Sequence, residues 1–377
     1  MGARELHGHL IGRQGSRAEL NTPALVIDID ALEANIAAMA KTAGAAGVGL
    51  RPHAKTHKSV EIARRQIGAG ALGACCAKLG EAEALSAGGI GDILITSPVV
   101  GAAAVERLAA LGRRATGLMA VADHPDAVGA IARSSAALTL LVDIDPGLHR
   151  TGVAGPAEAI ALARAIAAAP QLKFGGVQFY CGREQHIGPW AERRAAIEDR
   201  TAYLKEVIGA LGEAGLPPAM VTGGGTGTHA IDLDLRAFTE LQVGSYIFMD
   251  RQYAECEAAA GGGAWPFATA LTIDTRVISA NHERLSTVDA GFKAMATDGG
   301  PPSVIAGASR QSAYHFMGDE HGAIVPPKGE PAPALGQVVT LGAPHCDPTV
   351  NLYDAYHVVR DGTLIDIWPI EARGASA

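Results

Sequence analysis

Residues 51–58 read RPHAKTHK and follow a short apolar run at 48–50. Two lysines, two histidines and an arginine crowd into these eight residues, and the proline ends the preceding strand. A strand that ends in such a cluster brings reactive groups to one rim of a sheet or barrel. A basic, solvated turn explains the charge equally well. The sharper hypothesis is that Lys55 anchors a carbonyl cofactor covalently, because neighbouring cations or burial favour the deprotonated amine that a Schiff base needs.

The composition predicts a folded, cytoplasmic protein with a large core. Hydrophobic residues make up 48% of the 377 residues and charged residues 19%, so disorder is not expected. The net charge of −8 and the lack of a long basic run argue against a nucleic-acid partner. The five cysteines are odd in number and lack zinc-ribbon spacing, which predicts reduced thiols. We see neither the apolar segment of a signal peptide nor the roughly 18 uncharged apolar residues of a membrane span.

Apolar runs alternate with Ala-rich helical segments over the first two thirds of the chain. This alternation predicts a parallel sheet with helical crossovers. Eight strands follow a first one at 24–29, which fits an α/β fold of the (β/α)8 TIM-type barrel class and leaves 24–29 as a surplus strand. A doubly wound sheet is the main alternative, and Asp30 with Glu33 is expected to cap the first helix. The eight strands are predicted at 48–52, 71–76, 92–96, 117–122, 138–144, 174–180, 219–222 and 240–247.

The pattern changes near the triple glycine at 261–263. Beyond it, short alternating segments are separated by Gly, Pro and Asn, which indicates strands and turns in place of helices. We expect a β-rich C-terminal domain of roughly 110 residues. Its strands are predicted at 271–278, 285–288, 322–325, 338–341, 355–360 and 363–368.

A glycine-rich loop, TGGGTGT at 222–228, follows the seventh predicted barrel strand. Its backbone N–H groups suit a phosphate, and barrels commonly place this cradle on the seventh and eighth strand loops. The eighth strand supplies Gly244, Ser245 and Tyr246. The loop lacks the lysine of a Walker A motif, and a merely flexible loop is the alternative. Together with Lys55 it predicts pyridoxal 5′-phosphate (PLP), which needs a lysine, a phosphate site and groups around its pyridine ring.

Two further clusters follow predicted barrel strands. VDIDPGLHRTG at 142–152 contains Arg150, which either faces the cofactor or pairs with a carboxylate. QFYCGREQH at 178–186 contains Tyr180, which can flank the cofactor, and His186, which can act as a base. A lone loop histidine is more commonly inert.

The sequence APHCDPT at 343–349 lies in the predicted β-rich domain. In an extended segment His345 and Asp347 project to one face and Cys346 to the other. A histidine with a carboxylate suits Mn²⁺ or Mg²⁺, whereas a thiolate favours zinc. Two protein ligands leave other positions open for water or substrate, as a catalytic metal requires. An Asp-Pro turn without a metal is the competing interpretation.

Taken together, these motifs resemble the fold-type III PLP enzymes of the D-threonine aldolase and D-serine dehydratase group. The resemblance runs from TPALVID at 22–28 to IDIWPI at 365–370, and rests on RPHAKTHK, TGGGTGT, GSYIFMD and the His–Asp pair. It implies an alanine racemase-like barrel at 30–260 and a β-rich domain, formed by 1–29 and 261–377, that takes in the surplus strand. It also implies a homodimer with sites near the interface.

The resemblance implies a role for each candidate site residue. Lys55 is the anchor lysine, Arg150 lies near the ring hydroxyl and Tyr180 lies beside the cofactor. His345 and Asp347 are the metal ligands, with manganese expected and magnesium or zinc as alternatives. The phosphate is held by Gly224, Gly225, Thr226, Gly244, Ser245 and Tyr246.

The implied reaction is retro-aldol cleavage of D-threonine, or a related small D-3-hydroxy amino acid, to glycine and an aldehyde, with His186 as a base. Members of the dehydratase branch have a cysteine two residues after the histidine, where this chain has Asp347. The resemblance therefore favours the aldolase branch over a D-serine or D-threo-3-hydroxyaspartate dehydratase. A non-catalytic PLP-binding protein and an amino-acid racemase are further alternatives, and a racemase would need a second base such as Tyr314 or Tyr353.

Overall fold

Eight parallel strands close into a barrel in the computed structural model, which describes residues 2–134 and 136–377. A first strand, β1 (Ala24–Asp28), lies outside this barrel. The barrel strands are β2 (Gly49–Leu50), β3 (Ala74–Cys76), β4 (Ile93–Ile95), β5 (Met119–Ala122), β6 (Leu138–Ile144), β7 (Leu172–Phe179), β8 (Met220–Gly223) and β9 (Glu240–Leu241). From β3 to β9, each strand pairs with the next strand in the sequence, and β9 pairs with β2. A 2.8 Å hydrogen bond from the Cys75 amide to the Pro52 carbonyl closes the barrel. The TIM-type barrel is confirmed, and a doubly wound sheet is excluded.

Alanine-rich helices connect the barrel strands, and the predicted start of the first long helix was wrong. This helix begins at Ile29, because the Asp28 side chain accepts hydrogen bonds from the amides of Asp30 and Ala31, both at 3.1 Å. The helices are α1 (Ala3–His7), α2 (Ile29–Ala46), α3 (Val60–Gly68), α4 (Leu79–Ala87), α5 (Ala102–Arg114), α6 (Pro125–Arg133), α7 (Pro156–Ala168), α8 (Trp190–Glu213), α9 (His229–Leu235), α10 (Arg251–Ala254) and α11 (Cys346–Val350). Within residues 2–134 and 136–377, we find no helix that is both long and apolar enough to cross a membrane.

A second sheet, mostly antiparallel, is built from β1 and the C-terminal part of the chain. Its other strands are β10 (Leu271–His282), β11 (Leu285–Val288), β12 (Ser303–Ala306), β13 (Ala313–Phe316), β14 (Gly322–Val325), β15 (Val338–Gly342), β16 (Ala355–Arg360) and β17 (Thr363–Pro369). β1 runs antiparallel to β10 and parallel to β16, and Leu25, Val26 and Ile27 are fully buried there. The surplus strand therefore belongs to this sheet. The short strands β12 and β13 were not predicted, and the domain limits at 30–260 and 261–377 stay a prediction.

Side chains fill the inside of the barrel, so open space remains at the ends of its strands. One buried layer consists of Cys75, Leu94, Met119, Val121 and Leu141. Arg51 and Glu240 form a buried two-point ion pair at 2.9 and 3.0 Å between the ends of β2 and β9. The five cysteines, all within the described residues, are buried free thiols.

Two buried histidines tie α1 to β16. His7 Nδ1 lies 2.8 Å from His357 Nε2, and the Asn21 amide donates to His7 Nε2 at 3.0 Å. His357 Nδ1 lies 3.2 Å from the Leu25 carbonyl oxygen, which can only accept. His357 therefore carries its proton on Nδ1 and accepts from His7. Burial, with the neighbouring His7, lowers the pKa of His357 to about 4, and burial also lowers the pKa of His7.

We expect the fold to lose stability as the pH falls from 6.5 towards 4, in part because of His357. In this window the unfolded chain binds a proton on this histidine and the folded chain does not, so acid favours unfolding. The lowered pKa corresponds to on the order of 3 kcal/mol of unfolding free energy. Urea unfolding of the wild type and His357→Phe measures this: their difference in unfolding free energy should shrink as the pH falls. His282→Phe, at an exposed histidine, is the control, and an equally steep acid loss in His357→Phe would contradict the prediction.

Candidate active site

A cavity of about 560 Å³ opens at the carboxyl ends of the barrel strands, where barrel enzymes place their active sites. Its volume lies in the range of small-ligand sites. The cavity brings together these residues proposed from the sequence: Lys55, Arg150, Tyr180, Gly225, Thr226, Gly244 and Ser245. It adds several that were not proposed: His53, Thr56, Thr96, Gln178, Gln242 and Tyr253.

The basic cluster at 51–58 is buried, except that Lys55 is partly exposed. Lys58 forms a 2.5 Å ion pair with Glu81, and both side chains are shielded from water. A solvated basic turn is therefore excluded. Lys55 sits on a short 3₁₀ turn, Ala54–Thr56, which follows the end of β2 and places its side chain in the cavity wall.

Lys55 and Asp347 meet although 292 positions separate them in the chain. The Lys55 ammonium donates to Asp347 Oδ1. Burial alone would lower the pKa of Lys55, but the Asp347 carboxylate outweighs burial and raises it. The expectation that burial and neighbouring cations favour the deprotonated amine was therefore wrong, because a distant carboxylate pairs with this lysine. Burial alone would raise the pKa of Asp347, but Lys55 and His345 lower it to about 2. The proposed cofactor anchor and a proposed metal ligand therefore share one place in the fold.

Main-chain amides and one hydroxyl form a cradle for an anion. Gly225, Thr226, Gly244 and Ser245 line the cavity. In the described chain, the amides of Thr226, Gly244 and Ser245 donate to no protein acceptor. The buried hydroxyl of Thr56 likewise finds no partner among residues 2–134 and 136–377. A Cβ at Gly244 would lie 2.6 Å from this hydroxyl, so glycine keeps the space open. Such donors are what a phosphate needs.

Two residues that were expected to hold the phosphate lie behind the cavity wall. Gly224 turns its loop with φ +68°, and a Cβ there would lie 2.7 Å from Asp232 Oδ2. Tyr246 is buried; Gln66 Nε2 donates to its hydroxyl at 3.0 Å, and its amide donates to Thr226 Oγ1 at 3.0 Å. Both residues support the cradle from behind, and their direct contact with a phosphate stays a prediction.

Arg150 and Tyr180 lie together on the cavity wall. The guanidinium carbon of Arg150 lies 5.6 Å from the centre of the Tyr180 ring, a cation–π distance. Thr151 fixes the loop that carries Arg150, because its hydroxyl donates to Asp143 Oδ2 at 2.7 Å. Within the described residues Arg150 forms no ion pair, so the expected alternative of a carboxylate partner is not seen.

His186 lies beside the cavity on a short 3₁₀ turn, Glu184–His186. Its ring centre lies 4.5 Å from that of Tyr253, which lines the cavity. Burial, with the neighbouring His345 and Lys55, lowers the pKa of His186. The neutral ring therefore dominates near pH 7, and a neutral imidazole can accept a proton.

The proposed metal pair lies at the start of a short helix, and the expected extended segment was wrong. His345 is the extended residue before α11, and Cys346 begins the helix with a fully buried side chain. His345 Nε2 and Asp347 Oδ2 still lie 3.9 Å apart. The helical turn therefore directs the Cys346 side chain away from His345 and Asp347. An extended segment was expected to separate these side chains in the same way.

Asp298 orients His345, and this contact was not predicted. His345 Nδ1 lies 2.7 Å from Asp298 Oδ2. A carboxylate accepts, so the imidazole proton is held on Nδ1 and the lone pair of Nε2 faces Asp347. Metal-binding histidines commonly have such a carboxylate partner. The contact with Asp298 therefore leaves the Nε2 lone pair of His345 available.

Asp250 joins the two sides of the site and was also not predicted. Its Oδ2 accepts from the Cys346 amide at 2.9 Å, and its Oδ1 accepts from the Tyr253 amide at 3.2 Å. One buried carboxylate thus caps both α11, which carries Asp347, and α10, which carries Tyr253. The metal pair and the ring that supports His186 are held in a fixed relation.

Comparison with known proteins places this site in a family. The family model of the alanine racemase N-terminal domain matches residues 27–252, and that of a putative serine dehydratase domain matches residues 270–359. D-threonine aldolase from Arthrobacter sp is 39% identical over 362 residues, which cover 95% of this chain and 94% of that protein. The chain belongs to the D-threonine aldolase and D-serine dehydratase family of fold-type III PLP enzymes.

Two further family members extend this result. 3-Hydroxy-D-aspartate aldolase from Paracoccus denitrificans (strain Pd 1222) is 38% identical over 366 residues, which cover 95% of this chain and 93% of that protein. The crystal structure of D-threonine aldolase from Filomicrobium marinum matches with a TM-score of 0.90 and 36% identity, over 96% of this chain and 97% of that chain. The barrel and the second sheet are therefore the family fold.

The cavity fits PLP, the cofactor of the family. Lys55 offers an amine in the wall, and the hydroxyl of Thr56, which has no partner within the described residues, lies beside the open space at Gly244. Arg150 and Tyr180 offer a cation and an aromatic face on the same wall. These are the parts that PLP needs: an anchor, a phosphate cradle and groups around the ring.

The donors at His345 and Asp347 fit a divalent cation that takes its remaining ligands from water or substrate. Among residues 2–134 and 136–377, no three His, Cys, Asp or Glu side chains gather as a complete metal site. Asp347 Oδ2 is buried, and it has no hydrogen-bond partner in the part of the chain that the structure describes. One imidazole nitrogen and one carboxylate oxygen suit Mn²⁺, with Mg²⁺ or Zn²⁺ as the alternatives.

Proposed function

We propose that this protein uses PLP and a divalent metal to cleave D-threonine and related D-3-hydroxy amino acids to glycine and an aldehyde. The contact between Lys55 and Asp347 carries the proposal, because it joins the cofactor anchor to a metal ligand. Cleavage next to a hydroxyl group uses the electron sink that PLP supplies, and a cation at the hydroxyl assists it. The similarity to two aldolases of D-3-hydroxy amino acids supports the same reaction class.

The chain itself supplies binding and orientation. Lys55 Nζ holds the cofactor, while Arg150 and Tyr180 fix the ring from the same wall. PLP, when bound, supplies an electron sink for the Cα–Cβ bond that breaks. His345 Nε2 and Asp347 Oδ2 would hold a cation, which supplies positive charge that lowers the pKa of the substrate hydroxyl.

His186 accepts the proton of the substrate hydroxyl, directly or through a water molecule. Its lowered pKa keeps the ring neutral, and the contact with Tyr253 fixes the ring beside the cavity. Asp250 supports this arrangement, because it caps the helix that carries Tyr253. The same carboxylate also accepts from the first amide of the helix that carries Asp347, so it links the supports of the base and of the proposed metal pair.

Product analysis tests the proposed reaction. Purified protein with PLP and Mn²⁺ is given D-threonine, D-serine and L-threonine, and the products are identified by mass. Glycine and acetaldehyde from D-threonine, abolished by EDTA and restored by Mn²⁺, would support the proposal. A 2-oxo acid and ammonia would instead assign the chain to the dehydratase reaction. L-Threonine is the control for stereochemistry and should give no product.

A racemase would need Tyr314 or Tyr353 as its second base, but within one chain both hydroxyls already donate hydrogen bonds. The Tyr314 hydroxyl donates to the Ala290 carbonyl, and the Tyr353 hydroxyl donates to the Ala294 carbonyl at 2.8 Å. Both hydroxyls are engaged in the second sheet and its loops, and burial raises the pKa of each. Neither tyrosine is set up to exchange a proton with a substrate at Lys55.

Asp298→Ala is expected to lower the Mn²⁺ affinity by about 10- to 100-fold while PLP binding is retained. The reason is that Asp298 holds the proton on His345 Nδ1 and leaves Nε2 free to bind the metal. Isothermal titration of Mn²⁺ into the PLP-loaded protein measures the affinity. Asp354→Ala, at another exposed aspartate of the same region, is the control. An unchanged Mn²⁺ affinity in Asp298→Ala would show that this contact does not orient a ligand.

We also propose that manganese is the native metal, that the protein is a homodimer and that it works in the cytoplasm. The nitrogen and oxygen donors support manganese.

An exposed apolar patch supports the homodimer. The ring centres of Phe292 and Phe316 lie 4.7 Å apart in a stacked pair, and the Phe292 and Met317 side chains are 45% and 53% exposed. A second copy of the chain would cover this patch. Free thiols agree with a reducing compartment. Metal analysis of the purified protein identifies the bound metal, and sedimentation measures the oligomeric state.

A further inference from the structure

A layer of neutral polar side chains lies deeper in the barrel than the groups at its rim. Gln178 stands two residues before Tyr180, and Gln242 stands two residues before Gly244. Each glutamine therefore faces the same side as a rim residue, one step further down its strand. Both line the cavity and are buried, with 4% and 5% exposure. The proposed reaction assigns no role to either glutamine.

Hydrogen bonds fix the direction in which each amide faces. Gln178 Nε2 donates to the Thr96 carbonyl at 3.0 Å and to Asp143 Oδ1 at 2.9 Å. The Thr96 carbonyl only accepts, so Gln178 must turn its nitrogen to it and its oxygen towards Gln242. Gln242 Nε2 then donates to Gln178 Oε1 at 3.2 Å and to Thr222 Oγ1 at 3.0 Å.

This orientation leaves the Gln242 oxygen as an acceptor for a ligand. Both amide hydrogens of Gln242 are engaged, so the group cannot rotate to become a donor. Its Oε1 accepts no hydrogen bond from the described residues. This oxygen is accessible to a bound molecule, because Gln242 lines the cavity. The site therefore suits an N–H group of the bound molecule.

The substituents of PLP decide which of its atoms reaches this layer. The ring nitrogen lies opposite the ring carbon that bears the aldehyde group, through which a lysine is bound, and one ring carbon separates the nitrogen from the carbon that bears the phosphate arm. Lys55 and the cradle at Gly244 hold those two substituents at the rim. The nitrogen edge then faces down into the barrel. Gln242 lies there, on the strand that also leads to Gly244.

We propose that Gln242 Oε1 accepts a hydrogen bond from the protonated ring nitrogen of PLP, and that Gln178 positions it. A neutral acceptor stabilises the protonated ring less than a carboxylate does, because charge-assisted hydrogen bonds are the stronger ones. Asp143, on the far side of Gln178, polarises the two amides in the same direction. The inference rests on the PLP site of the proposed function and not on which amino acid is cleaved.

The test reads the ring nitrogen without turnover. Protein freed of cofactor is reconstituted with PLP that carries ¹⁵N in its ring, and the ¹⁵N chemical shift is measured over a range of pH. The wild type should show a protonated, hydrogen-bonded nitrogen, upfield of a free pyridine. Gln242→Leu removes the acceptor and should move the resonance downfield. Gln242→Glu keeps the shape, adds a charge and should keep the nitrogen protonated to a higher pH than in the wild type.

Matched variants separate this contact from a general disturbance. Gln171→Leu is the same change at the other end of the barrel, just before β7, and should leave the resonance unchanged. Gln178→Leu releases the Gln242 amide and should give a smaller downfield shift. A wild-type resonance at the unprotonated position near neutral pH would overturn the proposal, and so would identical pH profiles of the resonance in the wild type and Gln242→Glu. The second comparison holds even if Gln242→Leu fails to fold. Wild-type protein that takes up no PLP would instead overturn the proposed function.

Discussion

Lys55→Ala is expected to lower D-threonine cleavage by on the order of 10³-fold or more and to abolish covalent attachment of PLP. Alanine offers no amine at the cavity wall, whereas the cradle at Thr56 and Gly244 is unchanged. PLP should therefore still bind, but without a bond to the chain. Borohydride reduction followed by peptide mass analysis shows the bond, and turnover is measured with saturating PLP and Mn²⁺.

Two other lysines make this prediction specific. Lys58 belongs to the same motif, but its ammonium is buried against Glu81 at 2.5 Å. Lys78 is exposed and lines the same cavity, so Lys78→Ala is the matched control and should keep the adduct on Lys55. A reduced adduct on Lys58 or Lys78 in wild-type protein would show that the anchor was assigned to the wrong amine.

The barrel could be predicted because its signals are local. Each strand and helix is marked by its own hydrophobic period, and neighbouring units in sequence are neighbours in the barrel. The second sheet was less predictable, since β1 pairs with β10 and β16 from the other end of the chain. At four residues each, β12 and β13 are as short as β11 and β14, so a period is barely visible in any of these strands and only two of the four were predicted.

The basic cluster at 51–58 shows why charge alone was ambiguous. Seven of its eight residues are buried, because carboxylates from distant parts of the chain neutralise its cations. Glu81 pairs with Lys58, and Glu240 pairs with Arg51, 189 positions away. Such partners are visible only after folding. The supporting groups Asp298 and Asp250 were missed for the same reason, since they act 47 and 96 positions from their partners.

Asp347→Ala is expected to remove metal-dependent turnover while PLP stays bound. The carboxylate supplies one of the two proposed protein ligands, so the Mn²⁺ affinity should fall by more than about 100-fold, beyond the loss expected for a supporting contact. Lys55 remains in the cavity wall and can still hold the cofactor. Isothermal titration of Mn²⁺ and D-threonine turnover over a range of Mn²⁺ concentrations measure the two effects.

Asp347 also pairs with Lys55, so its loss has a second effect that must be separated from the first. Loss of this ion pair changes the charge beside the anchor and should alter the absorption of bound PLP, whether or not Mn²⁺ is present. Loss of the metal ligand should instead appear in the dependence of turnover on Mn²⁺. Asp319→Ala, at an exposed loop aspartate, controls for a general change of charge. Full turnover of Asp347→Ala in EDTA would contradict the metal role, because the remaining contact with Lys55 needs no cation.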